Sequence, residues 1–292
     1  MVRGMDKVLL SIGYGYSAQA LAARLLAQGW RIIGTTRSPD KAEAFRAQGV
    51  EPLIWPGAPL PFAQVSHVLS SVAPVEGADP VLAAEGKALA RAGHLRWLGY
   101  LSTTGVYGDH GGGWVDEDTP LTPATARGRA RVAAEGAWQE LARTAGLPLH
   151  IFRLAGIYGP GRGPFAKLRS PDARAVIKPG QVFSRIHVED IGAVLEASIR
   201  QPVPGAVYNV CDDDPAPPQD VLDHAAALLG LSPPPRVDFD AADLSPMARS
   251  FYAESKRVRN DRIKRELGVR LAYPDYRSGL AAILTAERSQ GL

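Results

Sequence analysis

SIGYGYSA, residues 11–18, follows the apolar run VLLSI and opens a segment in which Ala18, Leu21, Ala22, Leu25 and Leu26 recur at helical spacing. Gly13, Gly15 and Ala18 therefore form a G-x-G-x-x-A pattern at a strand-to-helix junction. Gly13 permits the tight turn, and Gly15 presents no side chain to an approaching diphosphate. Small Ala18 lets helix and strand pack closely, and the helix N-terminus offers unpaired N–H groups to an anion. This predicts a dinucleotide-binding turn made of Gly13, Tyr14, Gly15, Tyr16 and Ser17.

Outward from that turn, short apolar runs alternate with helical stretches. RIIGTTR, EPLIW, HVLSSVA, LRWLGYLST and PLHIFRLAG read as further strands. DKAEAFRAQG, PVLAAEGKALARAG and an arginine-bearing segment ending near Ala145 read as helices. Such alternation predicts an α/β fold: a Rossmann-type doubly wound parallel sheet with a smaller C-terminal substrate lobe. Residues 1–165 are expected to form the nucleotide-binding domain, with sheet-contributing segments near 182–212. Residues 166–292 are expected to form mainly the lobe. The last third is broken by QPVPG, DDDPAPP and LSPPP, between which QDVLDHAAALLG and SKRVRNDRIKRELG read as helices.

The second strand ends in Thr35, Thr36, Arg37 and Ser38, with no carboxylate to take a ribose 2′-hydroxyl. Arg37 and Ser38 instead suit a 2′-phosphate, so NADP is the expected cofactor, with NAD left open. A solvated strand-end arginine is the plain alternative.

The chain has 292 residues, 46% of them hydrophobic, and a net charge of +3. Its pI near 9.0 comes from arginines spread along the chain. No block of like charge points to a nucleic-acid arm or a membrane patch. A single cysteine, Cys211, excludes an intramolecular disulfide and a paired-cysteine metal site. The polar start is too short for a secretory signal, and no run approaches the roughly 18 apolar residues of a membrane span. A soluble cytoplasmic protein acting on a small molecule is expected, without nucleic acid, membrane or metal.

Four later motifs occur in order: YLSTTGVYGD (100–109), FRLAGIYGPGR (152–162), SRIHVEDIG (184–192) and VYNVCDD (207–213). Together they make the sequence resemble, over nearly its whole length, the extended short-chain dehydrogenase/reductases of the NAD-dependent epimerase/dehydratase group. The resemblance implies hydride transfer on a small hydroxyl, carbonyl or nucleotide-sugar-like substrate. It places Val72 and Ala73 after the fourth strand, and Ala155, Gly156 and Ile157 after the sixth, around the cofactor. It also implies a substrate-orienting hydroxyl at Thr103 and a tyrosine and lysine four residues apart.

That last pair falls in PATARGRARVAAE, residues 123–135, where Gly128 and Glu135 align and Arg127 and Arg131 occupy the tyrosine and lysine positions. Arginine stays protonated, so Arg127 is no general base. It can grip a carboxylate or phosphate, while Arg131 can touch the nicotinamide ribose. The bland reading is two helix-face charges, Arg131 pairing with Glu135 at i, i+4. Tyr107 is a candidate replacement phenol, as is Tyr158. Thr104 and Gly105 stand where dehydratases carry an Asp-Glu pair, which argues against sugar 4,6-dehydration.

His187 and Asp190 read as structural, Asp190 capping a helix from near Ile191. Residues 111–113 read as a mobile loop. The helix over residues 128–145 offers Val132, Ala133, Trp138 and Leu141 either to a homodimer or to the chain's own core. Loss of the tyrosine and lysine leaves a second functional reading, an NADP-binding sensor or regulatory protein without turnover.

Overall fold

The computed structural model describes residues 7–75 and 77–289; the short polar start at residues 1–6 lies outside the described residues. From the N-terminus run β1 (Val8–Ile12), α1 (Tyr16–Leu26), β2 (Arg31–Thr36), α2 (Asp40–Ala47) and β3 (Glu51–Ile54). Next come β4 (His67–Ser70), α3 (Pro80–Leu89), β5 (Trp97–Thr103), β6 (Trp114–Val115), α4 (Ala126–Ala145) and β7 (Leu149–Leu154). The chain continues through β8 (Gly156–Tyr158), α5 (Phe165–Leu168), β9 (Ala175–Ile177), β10 (Arg185–His187), α6 (Val188–Arg200) and β11 (Val207–Val210). It ends with α7 (Pro218–Leu228), β12 (Arg236–Asp238), α8 (Pro246–Phe251), β13 (Arg257–Val258), α9 (Asp261–Leu267) and α10 (Tyr276–Ser289).

Seven strands form one parallel sheet in the order β11-β7-β5-β4-β1-β2-β3. Leu10 of β1 stands beside Ile33 on one side and Val68 on the other. All residues of β1, β4 and β7 are buried, as a sheet covered on both faces requires. On one face, Leu21 and Leu25 of α1 and Ile191 and Leu195 of α6 pack on Leu9, Leu69 and Phe152. On the other, Val81 of α3 and Trp138 of α4 pack on Leu10, Val68 and Tyr100. The chain reverses its direction of travel across the sheet between β1 and β4, which opens a crevice at their carboxyl ends. A separate cluster joins α5, α7 and α10 through Phe165, Ala225 and Ile283. Among the described residues no helix is long and apolar enough to cross a membrane.

The expected helix over SKRVRNDRIKRELG is halved. Residues 255–260 are not helical, Arg257–Val258 forming a short strand, and only Asp261–Leu267 is helical. Tertiary contacts override local propensity here. Lys256 Nζ donates to Gly108 O at 2.7 Å, the Val258 N–H donates to Ser184 Oγ at 3.0 Å, and Asn260 Nδ2 donates to Cys211 O at 2.8 Å. β13 thereby pairs with β6. The loop at residues 111–113 is pinned by the same segment: the Gly112 N–H donates to Ser255 O at 2.9 Å and the Arg257 N–H to Gly113 O at 2.8 Å. Asp190 does not cap its helix. His187 does, its Nδ1 accepting from the Glu189 N–H at 3.3 Å, while Asp190 accepts from the Ala272 and Tyr273 N–H groups at 2.7 and 3.0 Å.

Trp138, considered for a dimer face, is spent inside the chain. It stacks on Tyr100 at 5.3 Å, and its indole N–H donates to Asp79 Oδ2 at 2.9 Å. The other oxygen of Asp79 caps α3 through the Val81 and Leu82 N–H groups. Asp79→Ala is therefore expected to lower stability by about 2–4 kcal/mol in urea unfolding, the cap costing about 1 and the orphaned indole the rest. Asp79→Asn keeps the cap and falls between.

Burial pushes His67 and His150 down to about 4. His150 Nε2 accepts the Val203 N–H at 2.9 Å, which requires an unprotonated nitrogen. A depressed folded value gives stability that is present above the unfolded value of about 6.5 and lost as pH falls through about 4. The urea midpoint should drop over that window, and less so in His150→Asn, whose carbonyl still accepts from Val203.

Candidate active site

The glycine turn lies at the crevice and is built as its pattern requires. Gly13 adopts φ +81, and a Cβ there would meet Val72 Cγ2 at 3.0 Å. A Cβ on Gly15 would meet nothing nearer than Gly13 O at 3.8 Å, so this position opens to a ligand. The turn is tied to β2 by the Gly13 N–H on Thr35 Oγ1 at 2.7 Å and the Tyr14 N–H on Thr35 O at 3.1 Å. The Ser71 hydroxyl donates to Gly13 O. No side chain caps α1, whose first N–H groups face the crevice. Tyr14 points away: its ring meets Phe45 edge-on at 4.6 Å, and its hydroxyl donates to Gln48 Oε1 at 3.2 Å.

A cleft of about 290 Å³ runs from this turn along the ends of β5 and β7. Gly13, Gly15, Tyr16 and Ser17 line one side. Ser102, Thr103 and Arg131 line another, and Ala155, Ile157 and Arg162 the third. Val72 braces Gly13 from behind, and Ala73 and Gly156 are exposed outside the lining. Arg37 is exposed at the end of β2 and, among the described residues, pairs with no carboxylate. The Ser38 N–H donates to Thr36 Oγ1 at 3.1 Å.

Beneath the cleft lies a buried polar chain. The Ser102 hydroxyl donates to Glu135, and Glu135 pairs with Arg153 at 2.8 Å, the two side chains only 2% and 5% exposed. Arg153 Nη1 donates to the Tyr107 hydroxyl at 2.9 Å, which in turn donates to Asn209 Oδ1 at 2.7 Å. Tyr107 is thus no catalytic phenol. It is fully buried, its hydroxyl is engaged in both directions, and burial pushes its pKa up to about 12. Tyr158 is likewise buried, donating to Asp275 O at 3.3 Å.

The two arginines of α4 part company. Arg131 reaches over the sheet edge, Nη1 donating to the Tyr100 hydroxyl and to Leu101 O, both at 2.9 Å. Arg131 lines the cleft, and among the described residues its Nε is buried without a hydrogen-bond partner. The pairing of Arg131 with Glu135 does not occur, because Arg153 has taken that carboxylate. Arg127 leaves the cleft and stacks on Phe251 of α8 at 4.5 Å. Between them, a Cβ on Gly128 would lie 2.8 Å from Gly105 O, so glycine is what lets α4 seat on the loop after β5. Thr103 begins that loop, its hydroxyl oxygen accepting the Gly105 N–H at 3.2 Å and its proton left to donate. Among the described residues no cluster of His, Cys, Asp or Glu could hold a metal ion. Sequence reasoning missed Ser102, Ser71 and Arg162, although Arg162 closes the quoted motif FRLAGIYGPGR.

Residues 86–211 match the NAD dependent epimerase/dehydratase family. The chain is 31% identical to protein YeeZ of Escherichia coli, over 93% of this chain and 97% of that one. A functionally unknown conserved protein from Silicibacter pomeroyi DSS is 64% identical, with a TM-score of 0.93 over 96% of this chain and 99% of that one. UDP-glucuronic acid 4-epimerase from Bacillus cereus, solved in complex with NAD, shares the fold at 17% identity, with a TM-score of 0.75 over 97% and 99%.

Glu135→Gln keeps the size of the side chain but leaves Arg153 buried without a counter-charge. Urea unfolding should show a loss of about 3–5 kcal/mol.

Proposed function

Because this chain belongs to the NAD-dependent epimerase/dehydratase family of extended short-chain dehydrogenase/reductases, we propose that it is an NADP(H)-dependent oxidoreductase that reduces a small carbonyl compound. The observation that carries the reading is the shared cleft, which puts the open face of Gly15 and the uncapped start of α1 beside Thr103 and Arg131. Those residues fit a dinucleotide: backbone N–H groups for the diphosphate, and cation and hydroxyl at the far end. The NAD complex of the B. cereus epimerase supports a nicotinamide cofactor. Arg37, at the end of β2 and without a carboxylate partner among the described residues, supports the 2′-phosphorylated form. When bound, the nicotinamide supplies the hydride.

Thr103 donates a hydrogen bond to the substrate oxygen, and Arg131 stabilises the negative charge that develops there. The carbonyl carbon gains the hydride, its oxygen keeps the released electron pair, and water provides the final proton. Among the described residues the cleft offers no general base, since Arg131 holds its proton and Tyr107 is sequestered, so the substrate oxygen exchanges its proton with water in either direction. Nucleotide sugars belong to the candidate class, but dehydration does not, because Thr104 and Gly105 offer neither acid nor base. The reading has the protein working in the cytoplasm on a dissolved substrate rather than on nucleic acid or a membrane.

Titration with NADPH and NADH is expected to show NADPH bound about tenfold tighter or more, the preference vanishing in Arg37→Ala. Equal affinities in the unaltered protein would remove the NADP assignment. In NADPH-consumption assays against a carbonyl panel, Arg131→Ala should lower kcat about 10²-fold. Tyr107→Phe should leave it within about threefold, because that hydroxyl does not reach the cleft.

A further inference from the structure

We infer that Arg162 clamps the diphosphate bridge of the dinucleotide, an assignment that rests on the cofactor reading above. Arg162 stands on the loop after β8 and lines the same cleft as Gly13, Gly15 and Ser17. Its loop is closed on itself, the Gly159 N–H donating to Arg162 O at 3.1 Å and the Arg162 N–H to Gly159 O at 2.9 Å. It is also latched to the helix that begins at the glycine turn. The hydroxyl of Tyr16, the first residue of α1, donates to Pro160 O at 2.9 Å. A Cβ on Gly159 would strike the Tyr16 hydroxyl and lie 2.7 Å from Val188 Cγ1, so the loop approaches this closely only with glycine there. The Arg162 guanidinium comes to rest over the Tyr16 ring, 5.8 Å from its centre.

The charge balance singles out this residue. A diphosphate bridge carries two negative charges, and a helix N-terminus offers only about half a positive charge. Arg131 is held by Tyr100 and Leu101, Arg127 lies on Phe251, and Arg37 stands at the end of β2. Arg162, among the described residues, pairs with no carboxylate. Glu189, the acid whose charge Tyr16 feels, accepts the Tyr273 hydroxyl instead. Of the two cations lining the cleft, Arg162 alone makes no side-chain hydrogen bond or ion pair among the described residues; it is held beside the start of α1, and its planar fork matches two phosphate oxygens.

The test titrates NADPH, and adenosine 2′-monophosphate, which carries neither phosphate of the bridge, into the unaltered protein and into Arg162→Ala, Arg162→Lys and Tyr16→Phe. If the unaltered protein prefers NADH, the pair is NADH and adenosine. Arg162→Ala should weaken the full dinucleotide about tenfold and leave the fragment within about twofold. Lysine should restore part of the loss as a point charge. Tyr16→Phe, which releases the latch, should weaken the dinucleotide less, and should add little once Arg162 is already alanine. Unchanged dinucleotide affinity in Arg162→Ala, or a parallel loss of the fragment, overturns the assignment while the cofactor reading stands. No dinucleotide binding by the unaltered protein overturns both.

Discussion

The buried pair between Glu135 and Arg153 is the contact on which the site depends. It fastens α4 to β7, takes in Ser102 at the end of β5 and, through Tyr107, reaches Asn209 on the sheet's edge strand. With this carboxylate already bound, Arg131 has no partner one turn along its own helix and extends over the end of β5 instead. A buried pair of this kind is weak evidence for stability, since desolvating both ions costs much of what their attraction returns. Here its product is position. It fixes the helix register that seats Gly128 on Gly105 and turns Arg131 and Arg127 to different neighbours.

The cleft that results has an unusual charge character. Its lining includes two guanidinium groups and five hydroxyl-bearing side chains, and the acids closest in sequence or contact are buried below or engaged elsewhere. Such a surface welcomes an anion and stabilises negative charge forming on oxygen, but it cannot readily accept a proton. Arg127 and Arg131, where the family resemblance implies a tyrosine and a lysine, thus put fixed positive charge where a titratable phenol and an amine would stand. Arg127 shows the difference most plainly, since its charge is spent on an aromatic ring of α8.

Much of this was legible in the sequence because it is local. The glycine turn, the alternation of strands with helices and the ends of α1 and α2 at Gly29 and Gly49 depend on near neighbours and backbone sterics. What was not legible depends on partners far along the chain. Residues 255–260 carry a good helical pattern, yet Gly108, Ser184 and Cys211 hold them out of a helix. Tyr107 looks available in its motif until Arg153 and Asn209 claim its hydroxyl. Asp190 has the right type and place for a cap, and is used instead by a segment eighty residues away. Arg162 was overlooked because a glycine-rich loop hides where its last residue points; the Gly159–Arg162 backbone bonds and the distant Tyr16 side chain fix that.

The position of β11 at the sheet edge and the pairing of β13 with β6 have a consequence for how the protein is made. A ribosome releases the chain from the N-terminus, so six strands of the central sheet emerge while β7 still has a bare edge. That edge is covered only after residues 207–210 leave the tunnel, and the loop at 111–113 gains its partners later still, with residues 255–257. Until then the nascent chain carries an apolar strand edge able to pair with a neighbouring polypeptide. Fast elongation through the proline-rich stretches between these segments would shorten that exposure. The pace of synthesis in the last third thus bears directly on whether the first two-thirds reach their native arrangement.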